Sequence, residues 1–454
     1  LHTRARLSPA PRYRNLLQLM SDIRLILAFT ILSPVAFAET LPDADARFAP
    51  VDMNQVRLGQ MLFYDPILSG SKTVACATCH HPKHATADGL SLGLGDGAHG
   101  LGPERVIDVK NPPEQRVPRN APALFNLGAR EFTIMFHDGR LEADPTQPSG
   151  IRTPLGAEMV RGFASVLSAQ SMFPVLSPDE MAGHYTESDV SQAVRQGFLT
   201  GNGGAWSLIS TRVADVPIYQ EAFEKINGAG HHITFTDISD VIAEFIAFEW
   251  RADNSSFEQY LRHQGSLSET AQLGVKLFYG KAQCSTCHSG QFQTDHGFHA
   301  IALPQIGPGK SARFESHARD VGRLRVTGNP ADAYKFRTPS LRNVTQTAPY
   351  GHNGAYATLD AMVRHHLNPV KALQEYDVAQ LILPDLPNSQ DFEVTHDAAE
   401  QAAIATANEL APIDLNELEI TAILTFLETL SDEDSLTGRL GVPSAVPSGL
   451  PVDQ

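Results

Sequence analysis

Basic residues are scarce in this chain. Its 454 residues include 35 Lys+Arg against 51 Asp+Glu, a formal net charge of −16, so it offers no cationic surface to neutralise a phosphate backbone, and nucleic acid is excluded as a partner. Long apolar runs are missing too, and no segment beyond residue 38 is apolar enough to span a bilayer. Strand signals are weak throughout. Charged residues make up only 19% and hydrophobic residues 42%, which excludes a disordered or fibrous chain. Cysteine is limited to four positions, too few for a disulfide-rich scaffold. What is plentiful is glycine (34) and proline (30), spread along the chain as expected for many loops joining short helices. The length accommodates two or three compact domains.

Residues 1–38 read as an export signal. Met20 opens a polar region with Arg24, residues 25–38 are apolar, and Ala36-Phe37-Ala38 forms a small-x-small cleavage site before Glu39. Arg4, Arg6, Arg12 and Arg14 lie upstream of Met20, so residues 1–19 read as an over-long start. The expected location is the periplasm. Removal of the leader makes the remainder more acidic still, which suits a basic electron carrier as well as plain solubility.

All four cysteines fall into two CxxCH runs, Cys76-Ala77-Thr78-Cys79-His80 and Cys284-Ser285-Thr286-Cys287-His288. Thiols three residues apart reach the two vinyl groups of one haem, and the adjacent histidine lies under the iron. Two covalently bound c-type haems are therefore expected, with no cysteine left for a disulfide. The surroundings repeat: Leu58-Gly59-Gln60-Met61-Leu62-Phe63-Tyr64 precedes the first run and Leu273-Gly274-Val275-Lys276-Leu277-Phe278-Tyr279 the second. Each half also closes on an amphipathic helix. Residues 238–250 carry Ile242, Phe245, Ile246 and Trp250 on one face, and residues 415–430 carry Ile420, Ile423, Leu424, Leu427 and Leu430. The expected fold is mainly α, with two cytochrome c-like haem domains in tandem. The first spans 39–250 and the second 268–435, joined by a linker over 251–267 and followed by a tail over 436–454.

With these motifs the chain resembles the bacterial di-haem cytochrome c peroxidase and MauG superfamily. The resemblance runs from about residue 45 to 435. It includes Arg119-Asn120-Ala121-Pro122, Asp138-Gly139-Arg140, Pro178-Asp179-Glu180-Met181, Thr338-Pro339-Ser340-Leu341-Arg342-Asn343 and Thr347-Ala348-Pro349-Tyr350-Gly351-His352-Asn353-Gly354, in the family's order. It implies that the haem on His80 is peroxidatic, with Gln170, Pro174 and Glu180 matching the family's distal spacing. Splitting peroxide requires a proton to move from its near to its far oxygen, and a carboxylate does this as base and then acid. Ser177-Pro178-Asp179-Glu180 is also a well-formed helix start, so capping is the alternative role for Glu180.

The resemblance makes the haem on His288 the electron-transfer haem. Fourteen residues beyond His352, where the peroxidases have methionine and many MauG-like proteins tyrosine, stands His366. It is the implied sixth iron ligand, with His365 as its rival one residue away. The tryptophan expected before Asp138-Gly139-Arg140 is replaced by Phe136-His137, with Phe136, Trp206 and Trp250 as possible substitutes in the inter-haem route. Asn120, Thr347 and Pro349 match an inter-haem calcium site. His84 and His99 are the candidates for a resting ligand on the first haem, although an open site is favoured. The stretch 142–168, with Pro145, Pro148 and Pro154, is an insertion that could cap the crevice or meet a partner.

The implied activity is reduction of hydrogen peroxide to water with electrons from a small cytochrome c or cupredoxin. The alternatives are a MauG-like oxidase acting on a protein side chain or organic substrate, favoured by His137 and His366, and a plain electron-transfer cytochrome, opposed by Gln170 and Glu180. No membrane span is expected, and a homodimer is left open.

Overall fold

A computed structural model describes residues 41–310, 315 and 317–454; the expected export signal lies outside them. Among the described residues no helix is long and apolar enough to cross a membrane. The described residues are mainly helical, with only two- and three-residue strands among them, in small antiparallel sheets.

Two helix pairs organise it. In the first half, helix Met53–Phe63 starts where the Asp52 carboxylate accepts from the Asn54 N–H, and it packs on helix Phe235–Glu249, which is capped reciprocally by Thr234 and Asp237. In the second half, helix Glu269–Phe278 packs in the same way on helix Glu417–Glu428, capped by Asn416 and Glu419. The expected apolar faces point inwards: Ile242, Phe245, Ile246 and Trp250 are buried in one core, and Ile420, Ile423, Leu427 and Leu430 in another. Leu424 is only partly buried, and Phe426 takes the central place in the second pair.

Both pairs meet through a glycine. A β-carbon on Gly59 would run into the carbonyl of Val241, and one on Gly274 into the carbonyl of Ala422. The repeated Leu-Gly dipeptide is thus a repeated close backbone approach.

The stretch 251–267, expected as a linker, contains helix Ser256–Leu261, whose Phe257 is fully buried against Phe426 at 5.1 Å between ring centroids. Glu258 pairs with Arg342, and both are buried. Residues 436–454, expected as a tail, return to the first half. Val446 is buried there, with Leu440, Val442, Leu450 and Val452 packed on the same core. Ser448 Oγ donates to Asp65 at 2.7 Å and Thr78 Oγ1 to Asp453 at 2.7 Å.

The insertion over 142–168 contributes two strands to a three-stranded sheet of Ile134–Met135, Leu141–Ala143 and Ile151–Arg152. Arg323 pins it from the other half, donating to Glu142 at 3.0 Å and to the carbonyls of Asp138 and Gly139. Beside it Arg119 pairs with Asp138 at 2.8 Å and Asp320 at 2.7 Å, all three buried. These ion pairs hold Asp138 and Asp320 well below the ordinary carboxylate range, because each stabilises the ionised form more than burial opposes it.

Candidate functional site

Each CxxCH run lies on the wall of its own cavity. The first cavity is lined by Cys76, Cys79 and His80 together with Gln170, Pro174 and Glu180, so residues a hundred positions apart face one space. Cys76–Cys79 forms a single helical turn, and the His80 N–H returns to the Cys76 carbonyl. The His80 ring is oriented by Nδ1, 2.9 Å from the carbonyl of Thr86. A carbonyl can only accept, so Nδ1 carries the proton and Nε2 keeps its lone pair for a metal. Burial lowers the His80 pKa, which also favours the neutral ligand form.

Gln170 projects from helix Val166–Ser171, Pro174 opens a short 3-10 turn, and Glu180 sits in the turn Pro178–Ala182. Ser177 makes no side-chain cap at that turn, so the alternative of a serine-capped helix start is not what is seen. Burial raises the Glu180 carboxyl above its ordinary value, while Lys310 and Arg140 draw it back. Gln170 Oε1 is buried with no hydrogen-bond partner. A buried acceptor without a donor is costly, and this one belongs to a residue lining the cavity, where a bound hydroxyl could supply the donor.

The second cavity is lined by Cys284, Cys287, His288 and His366. His288 Nδ1 lies 3.0 Å from the Gln293 carbonyl and His366 Nδ1 2.9 Å from the Met362 carbonyl, leaving both Nε2 atoms with a lone pair. The ring centroids are 6.3 Å apart. Two metal–nitrogen bonds of about 2 Å and two ring radii of about 1.1 Å add to nearly the same span, so His288 and His366 could together hold one metal ion. Burial, reinforced by His366, lowers His288 to about 4. The neighbour His365 is engaged elsewhere: Nδ1 accepts from Tyr356 OH at 2.9 Å, and Nε2 donates to the Ile301 carbonyl at 2.7 Å.

All four cysteines are free, and burial raises Cys76, Cys79 and Cys284 to about 12, with Cys287 also raised. Each CxxCH run thus sets two unpaired thiols beside an oriented histidine.

Between the cavities, Asn120 and His137 line both. His137 Nε2 donates to the Asn120 carbonyl at 3.1 Å, and burial followed by Arg119 lowers its pKa to about 4. Thr347 and Pro349 face the second cavity alongside Asn120, whose Nδ2 donates to Leu90 O at 2.8 Å. Trp206 and Trp250 are buried and line neither cavity. His84 and His99 also lie off the first cavity, His99 pairing with Asp108 at 3.6 Å on the surface. Of the described residues in 142–168, only Leu167 reaches the first cavity's wall.

Sequence reasoning missed three residues. Asp88 lines the first cavity and is pushed up to about 7 by burial. Lys310 lines it from a Gly-Pro-Gly loop far along the chain, and Arg337 lines the second cavity. Only Arg337, directly before the Thr338-Pro339 run, stood beside a legible signal.

A family model described as di-haem cytochrome c peroxidase matches residues 53–266. The methylamine utilization protein MauG of Methylorubrum extorquens is 25% identical over 87% of this chain and 82% of its own length. Cytochrome c peroxidase Ccp of Escherichia coli is 29% identical over 73% of this chain and 57% of its own. In three dimensions, the diheme peroxidase BthA of Burkholderia thailandensis superposes with a TM-score of 0.54 at 19% identity, covering 91% of this chain and 99% of that one, which shows a shared fold.

Proposed function

Because the chain belongs to the di-haem cytochrome c peroxidase and MauG superfamily, and is an oxidoreductase of the cytochrome-c peroxidase type, we propose that it reduces hydrogen peroxide to water in the periplasm with electrons from a small cytochrome c or cupredoxin. The observation that carries this reading is the meeting of Gln170, Pro174 and Glu180 on the wall that also bears Cys76, Cys79 and His80.

In this reading Cys76 and Cys79 hold the first haem by thioethers with His80 as its iron ligand. Cys284 and Cys287 hold the second, ligated by His288 and His366. The two haems, when bound, would supply the two electrons that reduction of peroxide to water requires, replaced one at a time by the electron donor. Glu180 takes a proton from the near oxygen of peroxide and returns it to the far one. Gln170 Oε1 accepts from the peroxide hydroxyl and orients it, and Pro174 stiffens the turn between these two. Lys310 and Arg140 keep the buried carboxylate ionisable. Asn120, through Oδ1, and the carbonyls of Thr347 and Pro349 hold one calcium ion, a neutral oxygen set that needs several waters to complete it.

The MauG-like reading is the alternative, favoured by His137 in the tryptophan position and by His366. The deciding experiment is peroxide turnover with reduced cytochrome c, before and after partial reduction of the protein. Turnover supports the peroxidase; no turnover, with peroxide-driven oxidation of a protein side chain instead, transfers the assignment to the alternative.

A further inference from the structure

The second cavity holds a cation that the fold does not neutralise. Arg337 ends the strand Phe336–Arg337, which pairs with Phe298–His299. Its backbone N–H donates to the His137 carbonyl at 2.7 Å, Nε to the Phe136 carbonyl at 3.2 Å, and Nη1 to the Thr338 carbonyl at 3.4 Å. These are carbonyls, and among the described residues no carboxylate pairs with it. The other guanidinium on this wall, Arg342, pairs with Glu258. Burial alone depresses Arg337 to about 10, with no acid opposing the shift.

Arg337 is half-buried, and a charge left there without a counter-ion becomes costly once a ligand fills the cavity and excludes water. The missing counter-charge is therefore expected in whatever fills the cavity. On our reading of this cavity as a haem site, on which the inference rests, the occupant brings two propionate carboxylates. The planar fork of a guanidinium matches a carboxylate.

We propose that Arg337 binds a propionate of the second haem and raises that haem's reduction potential. Reduction adds a negative charge to the haem, so a fixed cation in a poorly screened site favours the ferrous state. The position carries a further consequence. Arg337 also holds the Phe136-His137 segment, and both of those residues line the first cavity, so one side chain ties the edge of the second haem to the wall of the first.

The test uses the full protein with its haems. Haem content is counted as the pyridine haemochrome, and both midpoints are measured by spectroelectrochemistry in the parent, Arg337→Gln and Arg337→Lys. Expected in Arg337→Gln are two haems and an unchanged first midpoint. At fixed potential, the ferrous-to-ferric ratio of the second haem should fall about tenfold, a downward shift of about 59 mV. Arg337→Lys, which keeps the charge, should stay within about threefold of the parent. If Arg337→Gln fails to retain its second haem, Arg337→Lys decides by the same threefold criterion. An unchanged second midpoint in Arg337→Gln, or an equal fall in Arg337→Lys, overturns the inference. A parent with a single haem overturns the haem reading beneath it instead.

Discussion

At Glu180, burial raises the carboxyl while Lys310 and Arg140 lower it, and burial wins. A raised value means the base form is lost at a higher pH than for a free glutamate. The acid limb of kcat/KM for peroxide should therefore lie above pH 4.5, the ordinary value, and should persist in Asp88→Asn. Replacing Glu180 by Gln should slow peroxide cleavage by about 10²-fold or more while both haem spectra stay intact, as for loss of a general acid–base group. Unchanged turnover would return Glu180 to a structural role. The histidine pair gives a second test. His366→Met should raise the midpoint of the second haem, since a thioether favours ferrous iron relative to a second imidazole. His365→Met should leave the ligand spectrum alone, because both nitrogens of His365 already serve Tyr356 and Ile301. A ligand change in His365→Met, with none in His366→Met, would reverse the assignment.

Among the elements, the two glycine-mediated helix pairs respond in a direction opposite to intrinsic propensity. In an exposed helix interior Gly→Ala stabilises by about 0.5–1 kcal/mol. At Gly274 the added methyl meets the Ala422 carbonyl, a backbone atom that cannot swing aside, so Gly274→Ala should destabilise by about 1–3 kcal/mol instead. Calorimetry reads the sign, and a raised Tm would show that the pair separates at little cost. The Leu-Gly repeat was legible in the sequence, but its meaning was not. The partner carbonyls on Val241 and Ala422 lie 182 and 148 residues beyond their glycines, and only the fold brings them close.

Over the whole molecule, the last residues reach back to the first half. Ending the chain after residue 435 would remove Val446 from the first core, the Ser448 bond to Asp65 and the Thr78 bond to Asp453. Thr78 lies inside the first CxxCH run, so the loss falls on the segment presenting Cys76, Cys79 and His80. Hydrogen exchange on the truncated protein should quicken in peptides covering residues 53–80 and 235–250 and remain as in the parent over 417–428. Uniform loss of protection would mean the two cores unfold as one.

The sequence by itself determined what depends on neighbours along the chain. Two thiols and a histidine at CxxCH spacing specify a haem-attachment turn wherever the segment lies, and the periods of residues 238–250 and 415–430 specify which faces are buried, because these are properties of one turn or one helix. The Gln170, Pro174 and Glu180 spacing was legible only through the resemblance to the family, since the three residues stand on separate turns. Between His365 and His366 the count from His352 pointed to His366, and only tertiary structure shows how the two rings are engaged. They differ by one residue and about 100° on the helix, and the choice turns on Tyr356 OH and the Ile301 carbonyl meeting one ring and leaving the other facing His288. It alone placed Lys310 beside Glu180, left Arg337 without a carboxylate partner among the described residues and returned the final residues to the first core. Each of those outcomes is a contact between residues far apart in sequence, and burial and charge pairing at such contacts depend on the path of the chain between them.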